Sequence, residues 1–267
     1  NQSVDEVISL NFKHSFFVPN DFSDFWNNYP SNHKFNYYLY LEVINYLNKK
    51  ENLNIKLITK DYKNLREPQE IKRIKNNYFY NFYEYLFKFK KKKQKYLLTG
   101  TYLGQLNNIK LNLLLKNLPF GYSEFDKKYS NDKIVSRDKL KINTQKKNDF
   151  EKFFYSIILK ILPISYLENF KKIRKSVESF NLSPKIILTS SLHVASDVFK
   201  IWVSGRVKEG SKLILSDHGF YFEDEIDFNL WKKIAYKYIK WNLTAKKNCY
   251  QLPPNILLGR KKLDVVK

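Results

Sequence analysis

Two runs of residues decide the fold: Ser183-Pro184-Lys185-Ile186-Ile187-Leu188-Thr189-Ser190-Ser191 and Gly210-Ser211-Lys212-Leu213-Ile214-Leu215-Ser216-Asp217-His218-Gly219-Phe220-Tyr221. Lys185 to Leu188 follows a proline, is too short for a helix and is rich in β-branched residues, so it reads as a strand. Between the two runs, Val194, Val198, Phe199, Trp202, Val203 and Val207 fall on one side of a 3.6-residue repeat. That spacing predicts an amphipathic helix over 192–209, stopped by Gly210. Lys212 to Leu215 is a second short apolar strand. A strand, a helix and a strand in succession favour parallel pairing with a right-handed crossover. Ligands of such open sheets bind beyond the carboxyl ends of the strands. Those ends are Thr189-Ser190-Ser191 and Ser216-Asp217-His218-Gly219.

Working outward, Tyr96 to Thr99 reads as another strand and Gly100-Thr101-Tyr102-Leu103-Gly104 as the loop after it. Two glycines there allow a backbone to approach a ligand closely, though the spacing is not that of a dinucleotide fingerprint. Asn107 to Leu118 then looks helical and apolar nearly all round, hence buried. With Ile55 to Thr59 and Tyr238 to Trp241, the predicted strands lie near 55–59, 96–99, 185–189, 212–216 and 238–241. The fold class is therefore α/β, a Rossmann-like, mostly parallel sheet with helices on both faces. Phe35 to Leu47, Ile71 to Phe89 and Phe228 to Tyr238 are further predicted helices. So is the stretch carrying Phe150, Phe153, Phe154, Ile157, Ile158, Ile161 and Leu162, whose apolar stripe is read as core. Residues 1–34 are rich in aromatics without a clean period, and 121–148 are polar, lysine-rich and aperiodic, as in a surface excursion. One α/β domain is expected over 1–250, with a helical and loop insertion near 121–180. Pro253-Pro254 then breaks the chain, and 251–267 reads as the truncated start of a second domain or a linker.

The 267 residues suffice for one large core or two modest ones. A hydrophobic content of 43% and an aromatic content of 17% place the chain among packed globular proteins and not disordered ones. A single cysteine, Cys249, excludes an internal disulfide framework and fits a reducing compartment. The expected location is cytoplasmic. The absence of Met, even an initiator, leads to the expectation of a fragment or processed product, and residues 1–20 do not read as a signal peptide. The net charge of +22 invites a nucleic-acid reading, yet only six of the 48 basic residues are arginine. Arginine is the preferred bidentate reader of phosphate and guanine, so no specific nucleic-acid recognition is expected. The run Lys88 to Lys95 reads first as a solvated helix end complementing the helix dipole. Its functional alternative is peripheral contact with an anionic membrane on the inner face.

Motifs for the common hydrolase and nucleotidase mechanisms are absent, and no histidine pair has H-x-x-x-H spacing, so no metal and no cofactor are expected. His218 is the candidate catalytic residue. It follows a strand, precedes Gly219 and has a carboxylate on its N-terminal side, where a neutral imidazole can take a proton from a hydroxyl. Asp217 or Glu223 would orient its ring, although the acidic cluster at 223–227 also suits the first turn of a helix. Thr189, Ser190, Ser191, His193, Gly219, Gly100 and Thr101 are the candidate substrate-binding residues, because all sit at carboxyl ends of strands or at the start of the following helix.

Residues 184–242 resemble a family of bacterial transferases encoded among genes for surface carbohydrate of the sialic- or legionaminic-type. That family carries a Thr-Ser strand end, a second strand ending in Gln-His-Gly-Gly, and an Ile-Ala-Asp … Trp-Gly segment. The counterparts here are Thr189-Ser190, Ser216-Asp217-His218-Gly219-Phe220 and Ile234-Ala235-Tyr236 … Trp241-Asn242. His218, Gly219 and Trp241 match, while Asp217, Phe220, Tyr236 and Asn242 replace the family's residues. A weaker likeness covers Leu97 to Pro119. The resemblance implies a GT-B-like glycosyltransferase that moves a sugar from a nucleotide-sugar donor to a glycan or glycolipid acceptor of a surface polysaccharide. A basic nucleic-acid-binding protein and a catalytically inactive interaction domain are the alternatives.

Overall fold

Short apolar runs followed by Thr, Ser or Gly repeatedly become parallel strands, as their composition requires. The computed structural model describes residues 6–10, 17–60, 94–117, 123–127, 129, 137, 140, 142, 148–217, 226–240 and 248–253. Contacts divide the chain into two compact units. One joins Asn1–Arg73 to Lys128–Lys171, and the other joins Ile74–Lys127 to Lys172–Lys267.

The second unit is built on five strands, β3 (Tyr96–Leu98), β4 (Ile186–Thr189), β5 (Lys212–Ser216), β6 (Lys237–Lys240) and β7 (Cys249–Gln251). They lie in the order β3-β4-β5-β6-β7, and every neighbouring pair is parallel. The register sets Leu97, Ile187 and Leu213 in one row, and Thr189, Leu215 and Tyr238 in another. Both rows belong to one face of the pleat, since alternate residues share a face. All six are buried, whereas Ile186, Leu188, Ile214 and Ile239 on the other face are half-buried.

Helices flank this sheet. They are α3 (Gln105–Leu114), α5 (Phe170–Glu178, which begins at the boundary between the units), α6 (Leu192–Ala195), α7 (Asp197–Lys208) and α8 (Ile226–Ile234). Helix α7 buries Val198, Phe199, Trp202 and Val203 of the stripe read from the sequence, while Val194, on α6, is half-buried and Val207, in the last turn of α7, is exposed. The helix predicted over 192–209 is broken once, at Ser196, whose backbone is extended (φ −119°, ψ 112°). The Ser196 Oγ accepts from the Phe199 N–H at 3.1 Å and donates to the Phe125 carbonyl at 2.7 Å. A serine followed by aspartate ahead of an apolar run is an N-cap signature, and here the cap won over continuation. Phe125 stands in a 3-10 turn, Ser123–Asp126, with its ring centroid 5.1 Å from those of Phe199 and Trp202.

Helix α3 corrects an expectation. Its composition predicts burial on all sides, yet only Asn112 is buried, and Leu106 and Leu114 are 74% and 80% exposed. It follows β3, the edge of the described sheet, so the strands cannot enclose it. The Asn112 amide donates to the Asn108 carbonyl at 2.8 Å.

In the first unit, β1 (Glu6–Leu10) and β2 (Lys56–Lys60) form a separate two-stranded parallel sheet. The strand predicted near 55–59 thus exists but does not join the larger sheet. Between these strands come α1 (Phe22–Asn28) and α2 (His33–Glu51), the latter capped by the Asn32 side chain and ended by Asn52 in the left-handed region. The aromatics of 1–34 acquire a role here. Phe17, Tyr29, Phe35 and Tyr38 form a buried cluster, with Phe17 stacked on Tyr38 at 4.9 Å. Burial pushes the Tyr29 and Tyr38 hydroxyls up in pKa, as loss of water disfavours the phenolate.

Helix α4 (Asp149–Ile161) starts with a capping box between Asn148 and Glu151. Its stripe is core only in part: Ile157 is buried, but Phe150 and Phe154 are exposed. Arg137 lies within the stretch read as a surface excursion, yet it is 6% exposed. Its guanidinium forks onto Glu168 at 2.8 and 2.6 Å and donates to the carbonyls of Leu159, Lys160 and Leu162. It therefore satisfies the orphan carbonyls that end α4.

Candidate functional site

A sheet whose neighbouring strands are all parallel brings the carboxyl ends of β3, β4, β5 and β6 to one edge, and the loops leaving them determine what chemistry gathers there. The ladder between β3 and β4 runs past their last residues. The Thr99 N–H donates to the Leu188 carbonyl at 3.1 Å, and the Ser190 N–H donates to the Gly100 carbonyl at 2.9 Å. The Ser190 Oγ donates to the Thr101 carbonyl at 3.1 Å, and the Ser191 Oγ to that of Gly100 at 3.2 Å. The Thr189 Oγ1 accepts the Leu192 N–H at 3.1 Å, satisfying a donor at the start of α6. Hydroxyl side chains are needed here because two loops exchange backbone groups at close quarters and buried polar groups must be paired.

Gly100 makes that approach possible. Its φ is +57°, and a Cβ there would lie 2.7 Å from the Ser191 Oγ and 2.9 Å from the Leu192 Cγ. No L side chain fits that space without something moving. Gly100, Thr101, Thr189, Ser190 and Ser191 are thus brought together as one interlocked pair of strand ends. Thr101, Thr189 and Ser190 are buried, and Ser191 is half-buried.

Asp217 stands immediately beyond β5. Its N–H donates to the Ile239 carbonyl at 2.8 Å, which prolongs the β5–β6 ladder. One step past the Ser216–Ile239 pair, the register sets Asp217 beside Lys240. Both follow the alternation of the well-buried face, Asp217 after Leu213 and Leu215, Lys240 after Tyr238. Asp217 is 3% exposed and Lys240 2%. A carboxylate and an ammonium removed from water on adjacent strands are costly unless opposite charge or hydrogen bonds attend them, so their placement concentrates polar energy at this edge. Lys240 is not among the residues singled out from the sequence. In Lys237-Tyr238-Ile239-Lys240 it falls in phase with the apolar Tyr238, and a lysine in that phase was the available signal.

His193 is half-buried on α6. Its ring meets that of Trp231 edge-on, with centroids 5.0 Å apart and planes at 87°, which links α6 to α8. Asp197, in the first turn of α7, is buried and pairs with Lys200 at 2.9 Å, a site favourable to a carboxylate by the helix dipole as well. His218, Gly219 and Glu223 lie outside the described residues, as do Lys88 to Lys93, the predicted helix over 71–89, and Trp241 and Asn242. Among the described residues no three His, Cys, Asp or Glu side chains gather to hold a metal ion, and no helix is long and apolar enough to cross a membrane.

Comparison with curated proteins and with solved structures finds no match. Comparison with protein families matches residues 1–267, the whole of the chain, to the LIC12162 family transferase, and the chain belongs to that family of transferases.

Proposed function

We propose that the chain is a glycosyltransferase of surface-carbohydrate assembly, passing a sugar from a nucleotide-sugar donor to a glycan or glycolipid acceptor. The observation that carries this reading is the convergence of Thr189, Ser190, Asp217 and Lys240 on the carboxyl edge of an all-parallel sheet, in a chain of a transferase family. The resemblance of residues 184–242 supplies the sugar chemistry and the GT-B arrangement. His218 is the next residue after Asp217 and acts as the general base.

In the transfer, the acceptor hydroxyl oxygen forms a bond to the anomeric carbon as the bond from that carbon to the donor phosphate breaks. The electron pair of the broken bond leaves with the phosphate, and the hydroxyl proton passes to the imidazole. A hydroxyl attacks poorly while it keeps its proton, and an imidazole, with an ordinary pKa near 6.5, suits this step at neutral pH. Lys240 provides positive charge near the departing phosphate, and fixed charge in a water-poor edge is worth more than in water.

The test uses the full chain, a panel of nucleotide sugars and detection of the released nucleotide. Losing a general base typically costs about 10²–10⁴ in rate, so His218→Ala is expected to lose that much while remaining folded. His218→Gln keeps a hydrogen-bonding side chain without a usable base and is expected to be equally slow. Near-normal turnover by the Gln variant refutes the base role. If none of the panel shifts the melting temperature or releases nucleotide, the glycosyltransferase reading fails.

A further inference from the structure

The amino edge of the five-stranded sheet, opposite the edge just described, carries a row of lysines. Lys95 and Lys185 immediately precede β3 and β4, while Lys212 and Lys237 open β5 and β6. The backbone ladder binds the first three into neighbours. The Lys185 N–H donates to the Lys95 carbonyl at 2.9 Å, and the Lys212 N–H donates to the Lys185 carbonyl at 2.8 Å. Adjacent strands lie about 4.8 Å apart, so like charges at their starts repel one another and cost stability. Lys95, Lys185 and Lys212 are exposed and line an open depression of about 510 Å³. The depression also holds Arg206 and Glu209, which pair with each other at 2.8 Å. Among the described residues no carboxylate pairs with Lys95, Lys185 or Lys212.

Tyrosine rings are interleaved with these charges. The Lys212 Nζ stands 4.5 Å from the centre of the Tyr236 ring and 3.3 Å from its hydroxyl. The Lys237 Nζ stands 4.8 Å from the ring of Tyr250, whose hydroxyl raises the lysine pKa and so keeps it charged. Tyr236 and Tyr250 are both about half exposed. An aromatic ring with an apolar body and a polar tip suits the boundary between water and lipid, and lysine stems reach the same depth with the charge in the headgroups.

We infer that this amino edge docks the protein on an anionic lipid bilayer, Lys95, Lys185, Lys212 and Lys237 meeting the headgroup phosphates and Tyr236 and Tyr250 entering the interface. The chemistry fits a diffuse anionic surface better than one tightly held phosphate. Lysine is a flexible point charge without a bidentate fork. Arg206 in the depression is already committed to Glu209, the Leu182 carbonyl and the Ser183 hydroxyl. The inference is independent of the transfer reaction, since its residues stand at the other end of the strands.

The test is co-sedimentation of the full chain with phosphatidylcholine vesicles containing one third phosphatidylglycerol, against vesicles of phosphatidylcholine alone. Each lysine at such a surface contributes about fivefold in partitioning, so Lys95→Gln/Lys185→Gln/Lys212→Gln is expected to weaken binding about 100-fold. A control triple, Lys110→Gln/Lys172→Gln/Lys175→Gln, removes the same charge from other exposed positions of the unit and is expected to bind within a few-fold of wild type. Binding should also fall as salt rises from about 0.05 to 0.5 M. Equal losses in the two triples would overturn the inference in favour of bulk charge. Equal binding to neutral vesicles would overturn it too, as would inorganic pyrophosphate that releases the protein at submillimolar concentration. So would a single-stranded oligonucleotide bound more tightly than the vesicles through the same lysines.

Discussion

Substituting Gly100 with alanine tests the close approach of β3 and β4 at the carboxyl edge. Two costs add. A non-glycine residue in the left-handed region loses about 1–2 kcal/mol, and Gly100 has φ +57°. The new methyl would also meet the Ser191 Oγ at 2.7 Å and the Leu192 Cγ at 2.9 Å, inside van der Waals contact. Overpacking of this kind costs about 1–3 kcal/mol. The expected loss is about 3 kcal/mol. The assay is urea unfolding followed by tryptophan emission, to which the buried Trp202 and Trp231 of this unit contribute. With a urea slope of about 2 kcal/mol per molar, the midpoint should fall by about 1.5 M. Adding Ser191→Ala removes the oxygen in the tightest contact and should recover roughly 1 kcal/mol, a coupling a double-mutant cycle reads directly. Gly205 supplies the opposite sign. It lies inside α7, and a Cβ added there would meet nothing within 4 Å, so Gly205→Ala should stabilise by about 0.5–1 kcal/mol. A Gly100→Ala midpoint within about 0.3 M of wild type would refute the account of the interlocked strand ends.

Arg137→Met strands the buried Glu168 carboxylate and three carbonyls at the end of α4, and should cost about 3–5 kcal/mol in thermal or urea unfolding. The companion Glu168→Leu should recover only part of that loss, because no buried charge then remains but the three carbonyls still lack their donor. Ser196→Ala removes both the cap of α7 and the bond to Phe125 and should cost about 1–2 kcal/mol. Ser196→Asp keeps the cap but not the donor, and its unfolding midpoint is expected between those of Ala and wild type.

Local signals carried much of this architecture. Pro184 ahead of a β-branched run, Gly210 after a helical stripe, and apolar runs too short for a helix are near-neighbour signals, so the strands at 96–98, 186–189, 212–216 and 237–240 were legible from the chain alone. The small residues at their ends were legible for the same reason, and with them the candidate edge. Other features depend on partners distant in sequence. Whether β2 joins the large sheet or pairs with β1 depends on the segment between them folding back, which sets Glu6 against Lys56, fifty positions further along the chain. Arg137 looks like a solvated residue in a polar stretch until Glu168 and the end of α4 close around it. Lys240 acquires its meaning only when the register sets it beside Asp217 with both side chains withdrawn from water. Helix α3 shows the converse, an apolar stripe left exposed because the edge strand before it has described neighbours on one side only. Composition and spacing therefore determined which segments become strands and helices and where small polar residues end them. Burial and charge partnership were decided by tertiary structure, because desolvation depends on every group within a few ångströms, whatever its distance along the chain.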